Sequence, residues 1–537
     1  ISPDLTTSNP EHQDFAGGPI SHDGTGVEVY GTVFAFEESP LEPGVLWAGS
    51  DDGRLHISRD AGGSWTEITP AGFPAEATIN AIDLSAHDPG RAFIAAYRYR
   101  EADFRPYIFR TNDYGQSWQL LTDGTNGIPQ DHFVRVVRED PDRKGLLYAG
   151  TEFGIYVSFD NGAHWQSLQL NLPVTPVTDI QVHHKDLVLA TQGRSFWILD
   201  DITPLHQITD QTVAASIHLY QPRRAFRVAS GGFGSPGGRQ AENPPNGAIL
   251  YYSLSAKVDS VKLEITDANG ESVRTFSSDQ SSAPDLGPLA ALASIFGLDF
   301  SGSQLSKEAG MHRFVWDLRY PAPTMPKDVL IFGFVQGPVA PPGTYQVKLT
   351  VGDASDTRTL DVQPDPRVSI SQAQFDEQRD FLLRVGEALS DIAAKIDTLR
   401  SVREQVQQVA ERVADAGLED ATVQEISVAA EAMVQKLNSI EEELAQTKSK
   451  SLEDPLNYPG KLTAQIANVQ SVVNGGFGSV DAPPTDGARQ RFEDLEAELA
   501  AVLARLQETL DTDLAAFNEL VRSNNVQAVI VKGSSGQ

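Results

Sequence analysis

Ser58-Arg59-Asp60-Ala61-Gly62-Gly63-Ser64-Trp65, Thr111-Asn112-Asp113-Tyr114-Gly115-Gln116-Ser117-Trp118 and Ser158-Phe159-Asp160-Asn161-Gly162-Ala163-His164-Trp165 are three copies of one phrase, [Ser/Thr]-x-Asp-x-Gly-x-x-Trp. Their aspartates stand 53 and 47 residues apart, and the copies hold three of the chain's six tryptophans. Chance would supply one such phrase, not three so evenly spaced. Its chemistry is that of a turn. The carboxylate accepts backbone N–H groups within the loop, the glycine supplies a positive φ, and the tryptophan packs across the hairpin. Asp60, Asp113 and Asp160 are therefore read as turn residues, with Trp65, Trp118 and Trp165 as their packing anchors.

The flanks of the phrase repeat as well. Val45-Leu-Trp-Ala-Gly-Ser50 matches Leu146-Leu-Tyr-Ala-Gly-Thr151 and Asp186-Leu-Val-Leu-Ala-Thr191, with Arg91-Ala-Phe-Ile-Ala-Ala96 as a weaker fourth copy. Ahead of each lies another β-rich run: Gly31–Phe36, Ile79–Leu84, Phe133–Val137 and Val177–Val182. Short runs of β-branched and aromatic residues bounded by Gly, Pro and Asp are strands. Four strands per repeat of about 50 residues is the pattern of β-propeller blades. The expected blades are residues 30–69, 78–122 and 132–170, with a fourth at 176–202 that has only its first three strands.

The repeats resemble the Asp-boxes, or BNR repeats, of sialidase-type propellers. Gly150-Thr-Glu-Phe-Gly-Ile-Tyr-Val-Ser158, Asn171-Leu-Pro173 and Ala190-Thr-Gln-Gly-Arg-Ser-Phe-Trp-Ile-Leu-Asp200 further resemble bacterial secreted glycosyl hydrolase-like proteins with a sortilin-type propeller, of which this chain looks like the C-terminal part. Gln192 stands where that family usually has a histidine. The resemblance implies a secreted, periplasmic or cell-surface location. It also implies further blades upstream of Ile1, because so few blades leave open edges. A second chain is expected to supply them. The N-terminal half of a cleaved precursor is the first expectation, and a homodimer of two half-propellers is the alternative.

Strand direction sorts the loops. The repeated turns lie on one face, and the turns between second and third strands lie on the other, where propellers bind ligands by fold-level analogy. Those turns are Asp51-Asp52-Gly53, the long Tyr97-to-Pro106 loop, Glu152-Phe153-Gly154 and Gln192-Gly193-Arg194. Glycoside hydrolysis uses two carboxylates about 5–10 Å apart. Glu152, Asp52, Glu101 and Asp103 are the catalytic candidates, with Asp51 beside them and Glu152 first because it opens a very short turn. Arg98, Tyr99, Arg100, His132 and Arg194 are the substrate-binding candidates, since aromatic rings stack on sugars and guanidinium groups pair with carboxylates. A polar loop packed on a neighbouring blade is the plainer reading of the same residues. His183 and His184 end a strand on the turn side and are set aside. No metal or cofactor motif is found: there is no His-x-x-x-His, nucleophile elbow or phosphate loop.

The rest of the chain changes character. Residues 206–245 read as a linker containing the glycine-rich Gly231–Gly238, and 246–366 as an Ig-like β-sandwich with an insertion at 279–308. From 369 to 525 apolar residues step by three and four, as in Leu382, Val385, Leu389, Ile392, Ile396 and Leu399, which predicts an antiparallel helical bundle. Val526–Val531 is expected to add a strand ahead of the tail. The 73 acidic against 42 basic side chains, a formal charge of −31, exclude a nucleic-acid partner or an anionic membrane surface. No apolar run is long enough for a membrane span. The absence of cysteine excludes disulfides and thiolate chemistry. Two functions follow: an extracellular propeller acting on or binding a glycan, and a non-catalytic propeller that holds a peptide or protein.

Overall fold

The computed structural model describes residues 2–11, 30–228, 244–279, 304–331, 335–414, 419–451, 454–474 and 481–526. The chain divides into two compact units, Ile1–Ile208 and Thr209–Gln537.

The first unit is a partial β-propeller. Its first blade contains β1 (Val33–Glu38), β2 (Leu46–Ser50), β3 (Leu55–Ser58) and β4 (Thr66–Glu67). The second contains β5 (Thr78–Leu84), β6 (Ala92–Arg98), β7 (Asp103–Thr111) and β8 (Gln119–Leu120). The third contains β9 (Val134–Glu139), β10 (Leu147–Thr151), β11 (Gly154–Ser158) and β12 (Gln166–Ser167). Among the described residues the fourth has three strands, β13 (Val177–His183), β14 (Asp186–Thr191) and β15 (Phe196–Leu199). Every blade is an antiparallel meander, and the inner strands β1, β5, β9 and β13 adjoin one another in that order.

The blades are joined by apolar layers and a few polar ties. Trp47, Leu55, Ile79 and Ile82 fill the layer between the first two blades; Ile108, Val134, Val137, Ile155 and Ile180 belong to the core shared by the next three. Between the second and third blades lies a buried ion pair. Arg91 donates to Glu139 at 2.8 Å and also reaches Asn112 and Asn161 at 2.9 and 2.8 Å. Such a pair sits stably in a dry layer only because its remaining hydrogen-bonding capacity is filled.

The repeated turns share one hydrogen-bond pattern. Asp60 accepts from the Ser64 N–H and hydroxyl at 2.8 and 2.7 Å; Asp113 accepts from those of Ser117 at 2.8 and 2.6 Å. Asp160 accepts from the His164 N–H at 2.9 Å and contacts its ring at 2.7 Å. The tryptophans reach beyond their own hairpins. Trp118 Nε1 donates to the Ile68 carbonyl at 2.9 Å and Trp165 Nε1 to the Leu121 carbonyl at 3.4 Å, each on the preceding blade. The turn therefore joins blades as well as strands.

In the second unit the strands are β16 (Ile217–Leu219), β17 (Ala225–Arg227), β18 (Ala248–Leu254), β19 (Lys262–Thr266), β20 (Ser272–Ser277), β21 (Gly310–Trp316), β22 (Gly343–Val351) and β23 (Ala354–Pro364). They form two sheets, ordered β16-β18-β21 and β17-β23-β22-β19-β20, around one apolar core that includes Tyr252, Phe314 and Trp316. β16 and β17 lie in the stretch read as linker. At three residues each they are too short to display a period of two. Gly231–Gly238, most of the 279–308 insertion and all but the first residue of the expected strand at Val526–Val531 lie outside the described residues.

After α1 (Thr203–Gln207) in the first unit and α2 (Asp210–Ala214), the long helices follow: α3 (Gln372–Ala414), α4 (Asp420–Leu444), α5 (Leu462–Val473), α6 (Asp486–Glu508) and α7 (Leu514–Ser523). Val385, Leu389, Ile396, Met433, Leu437, Ile466, Leu495 and Phe517 meet in a single buried core. Arg227 pins the sheets to the helices. It pairs with Asp481 and Gln378 at 2.9 and 2.6 Å and lies over the Phe375 ring at 4.6 Å. Among the described residues no helix is long and apolar enough to cross a membrane.

Candidate functional site

Each inner strand carries a one-residue bulge at the same register, at Phe34, Asn80, Arg135 and Thr178. A bulge leaves one residue outside the alternation and turns its side chain. At the third blade it positions Arg135 at the face opposite the repeated turns. Arg135 forks onto Glu152, with Nε and NH2 at 2.8 and 2.7 Å from Oε2. Its guanidinium lies 5.2 Å above the Phe133 ring and 5.9 Å from that of Tyr99.

Tyr99 is held by a one-turn 3-10 helix, Tyr99–Glu101, which closes on Ala102 at φ 58°. It stacks on Phe133 with centroids 4.8 Å apart and planes inclined by 18°. Tyr97 is 5.1 Å from Tyr99, and Phe104 is 6.4 Å from Phe133. Beside them the His132 ring packs 4.5 Å from Phe153, and its Nδ1 meets the Tyr156 hydroxyl at 2.9 Å. Arg100 extends the ledge, 5.8 Å over Tyr99. Phe104 and Phe153 are exposed. The result is an aromatic ledge across the second and third blades, with a guanidinium over its stacked centre.

The other candidates take different places. Asp52 is buried, accepting the Thr7 N–H and hydroxyl at 2.7 Å each and the Ser50 hydroxyl at 2.5 Å. Asp51 is spent on the Gly31 and Thr32 N–H groups at 3.0 and 2.8 Å. Asp103 pairs with Arg105 and accepts the Tyr107 hydroxyl, each at 2.7 Å; the Arg105 hydrogen bonds lead in pushing its carboxyl down to about 2. Arg98 donates to the Ala75 carbonyl at 2.7 Å, and Glu101 ends the 3-10 turn. Arg194 is exposed on the fourth blade, where its carbonyl accepts from Trp197 at 3.0 Å.

Phe133, Arg135 and Phe153 were not among the candidates. The first two stood in a phrase read only as a strand. The bulge that redirects Arg135 becomes visible in the sequence only when the four inner strands are aligned.

Two further groups lie away from the ledge. On the inner strands Arg138 bonds Asp179 at 2.9 Å, the Ile180 carbonyl at 3.1 Å and the Ile82 carbonyl at 3.2 Å, tying β5, β9 and β13 together. Its neighbour Asp83, 3.9 Å away, is pushed up to about 7 by burial, against the pull of Arg138. Asp140, Asp142 and His206 bring ligand-type atoms within 4.8 Å of one another. The Asp140 carboxylate already accepts from Tyr148 at 2.9 Å and from the Asp142 and Arg143 N–H groups at 2.8 and 3.0 Å, and meets His206 at 2.9 Å. That network holds α1 against the third blade.

No family model matches the chain, and no curated protein matches it. Among solved structures it is similar to YCF48 from Cyanidioschyzon merolae (16% identity, 32% of this chain and 53% of that one, TM-score 0.24). A structure of YCF48 bound to D1 peptide matches at 16% identity over 46% of this chain and 68% of that one, TM-score 0.23. An ancestral GH74 enzyme matches at 14% identity over 60% of this chain and 47% of that one, TM-score 0.26. The chain thus spans about half the length of the first of these neighbours, all of them β-propeller proteins.

Proposed function

We propose that this chain is an extracellular binding protein whose propeller face, opposite the repeated turns, holds a glycan without hydrolysing it. The observation that carries this reading is the Tyr99–Phe133 stack under Arg135, flanked by the exposed rings of Phe104 and Phe153. Flat exposed rings match the apolar faces of sugars, and a guanidinium over the stack offers donors to sugar hydroxyl or carboxylate groups. Against hydrolysis stands the state of the carboxylates. Glu152 is paired with Arg135, Asp103 with Arg105, and Asp52 is turned inward onto Thr7, so three of the four catalytic candidates are already engaged within the protein. The two-sheet domain, proposed as an Ig-like spacer, and the helical bundle serve as supports.

A peptide is the alternative ligand. The ion pairs Arg135–Glu152 and Arg105–Asp103 set both signs of charge beside apolar rings, as a peptide side-chain pattern would require. The test is titration calorimetry against neutral and uronic-acid oligosaccharides and against a degenerate peptide pool. Phe153→Ala and Tyr99→Ala should each weaken oligosaccharide binding about tenfold, about 1.4 kcal/mol. Peptide binding lost in the same variants would transfer the ledge to the second reading. Release of reducing ends by the wild-type chain would overturn the non-catalytic assignment.

A further inference from the structure

The Arg135–Glu152 pair closes on a single carboxylate oxygen. Nε and Nη2 of Arg135 both meet Oε2 of Glu152, at 2.8 and 2.7 Å. Among the described residues, Nη1 of Arg135 and Oε1 of Glu152 carry no hydrogen bond. Both side chains reach solvent, at 16% and 28% exposure. The pair is also held in place. The Glu152 N–H donates to the Phe133 carbonyl at 3.1 Å, and the guanidinium rests 5.2 Å from the Phe133 ring. One fixed ion pair therefore offers a charged donor and a charged acceptor together, and the next residue in the chain is the exposed ring of Phe153.

The surroundings are balanced in charge. The loops that form the ledge, 97–106, 131–135 and 152–154, contain four arginines and four acidic residues. Their formal charge is nil, in a chain of formal charge −31. An anionic ligand finds no local surplus of positive charge here and is opposed by the field of the whole molecule.

We propose that the ledge selects neutral sugars through two adjacent ring hydroxyls and discriminates against uronic acids, an inference that rests on the glycan reading above. One hydroxyl accepts from Arg135 while its neighbour donates to Oε1 of Glu152. A hydroxyl can play either part, whereas an ionised carboxylate only accepts. Both bonds have a charged partner, which makes them stronger than bonds between neutral groups. A uronate group would meet Arg135 only by facing Glu152 as well, and like charges set against each other are costly. Adjacent equatorial hydroxyls leave the axial C–H face of a pyranose ring apolar, and that face suits the Phe153 ring. Glu152, first among the catalytic candidates, is on this account a specificity residue.

The test is titration calorimetry of the full chain with three probes: a glucose tetrasaccharide, the matching glucuronic acid tetrasaccharide, and the glucose tetrasaccharide with its adjacent hydroxyl pairs methylated. Wild type should bind the first about tenfold or more tightly than either of the others. Glu152→Gln removes the acceptor charge and releases the guanidinium, so it should weaken binding of the glucose probe and strengthen that of the glucuronic acid probe. The methylated probe is read on wild type and does not depend on a variant folding; circular dichroism melts check Glu152→Gln. Glucuronic acid bound as tightly as glucose, or methylation without effect, overturns the proposal; where Tyr99→Ala still weakens that binding, the glycan reading stands. No binding of any probe, or binding that Tyr99→Ala leaves unchanged, overturns both.

Discussion

A single aspartate carries most of each repeated turn. Asp113 fastens Ser117 through both its N–H and its hydroxyl and also takes the Thr111 hydroxyl at 2.8 Å. Asp113→Ala should therefore lower stability by about 1–2 kcal/mol in denaturant unfolding, with ligand binding unchanged because the turn lies on the opposite face. Asp83 behaves differently. Burial raises its carboxyl from 3.8 to about 7, so the folded chain holds this proton more tightly than the unfolded one. Stability from this group is full below about pH 4 and is lost as pH rises through about 7, by at most roughly 4 kcal/mol. Asp83→Asn should raise the melting temperature at pH 8 and leave it nearly unchanged at pH 4. Equal shifts at both pH values would contradict the assignment. At this scale the turns were legible, because their chemistry is local. The ledge was legible only in part: Tyr99, Arg100, His132 and Glu152 were found by loop position. Phe133 and Arg135 were hidden because a bulge, a property of strand pairing, decides where Arg135 points.

The elements are joined by ties that hydrophobic periodicity does not announce. Arg91–Glu139 is buried between the second and third blades, with both side chains nearly inaccessible. Arg91→Ala leaves the Glu139 carboxylate uncompensated and should cost about 3–5 kcal/mol; the double variant Arg91→Met with Glu139→Leu should recover much of that loss. The measurement is chemical denaturation of wild type, single and double variants. Blade and helix periods were readable because each spans several residues with one face in a core. The three-residue strands β16 and β17 were not, since their place is set by ladder partners elsewhere in the chain, Leu254 beside Ile217 and Val362 beside Ala225. The charge count anticipated none of these ties, which depend on which charges are buried.

At the scale of the whole molecule, the acidic surplus describes the surface, whereas the repeated register describes the propeller arc. Among the described residues, 30–202 form an arc of four blades, sheltered in the middle and exposed at Val33 and Phe36 of β1 and at Phe196 and Ile198 of β15. In the first three blades a fourth strand covers one edge of the third; in the last blade, among the described residues, β15 is itself the edge. Backbone amides exchange quickly where they face water and slowly where a ladder and a packed layer hold them. Hydrogen–deuterium exchange of the isolated chain, read strand by strand, tests this most directly. The account predicts slow exchange in β6, β7, β10 and β11 and fast exchange in β15 and in the outward-facing amides of β1. Uniform protection across all four blades, with β15 as slow as β11, would contradict it.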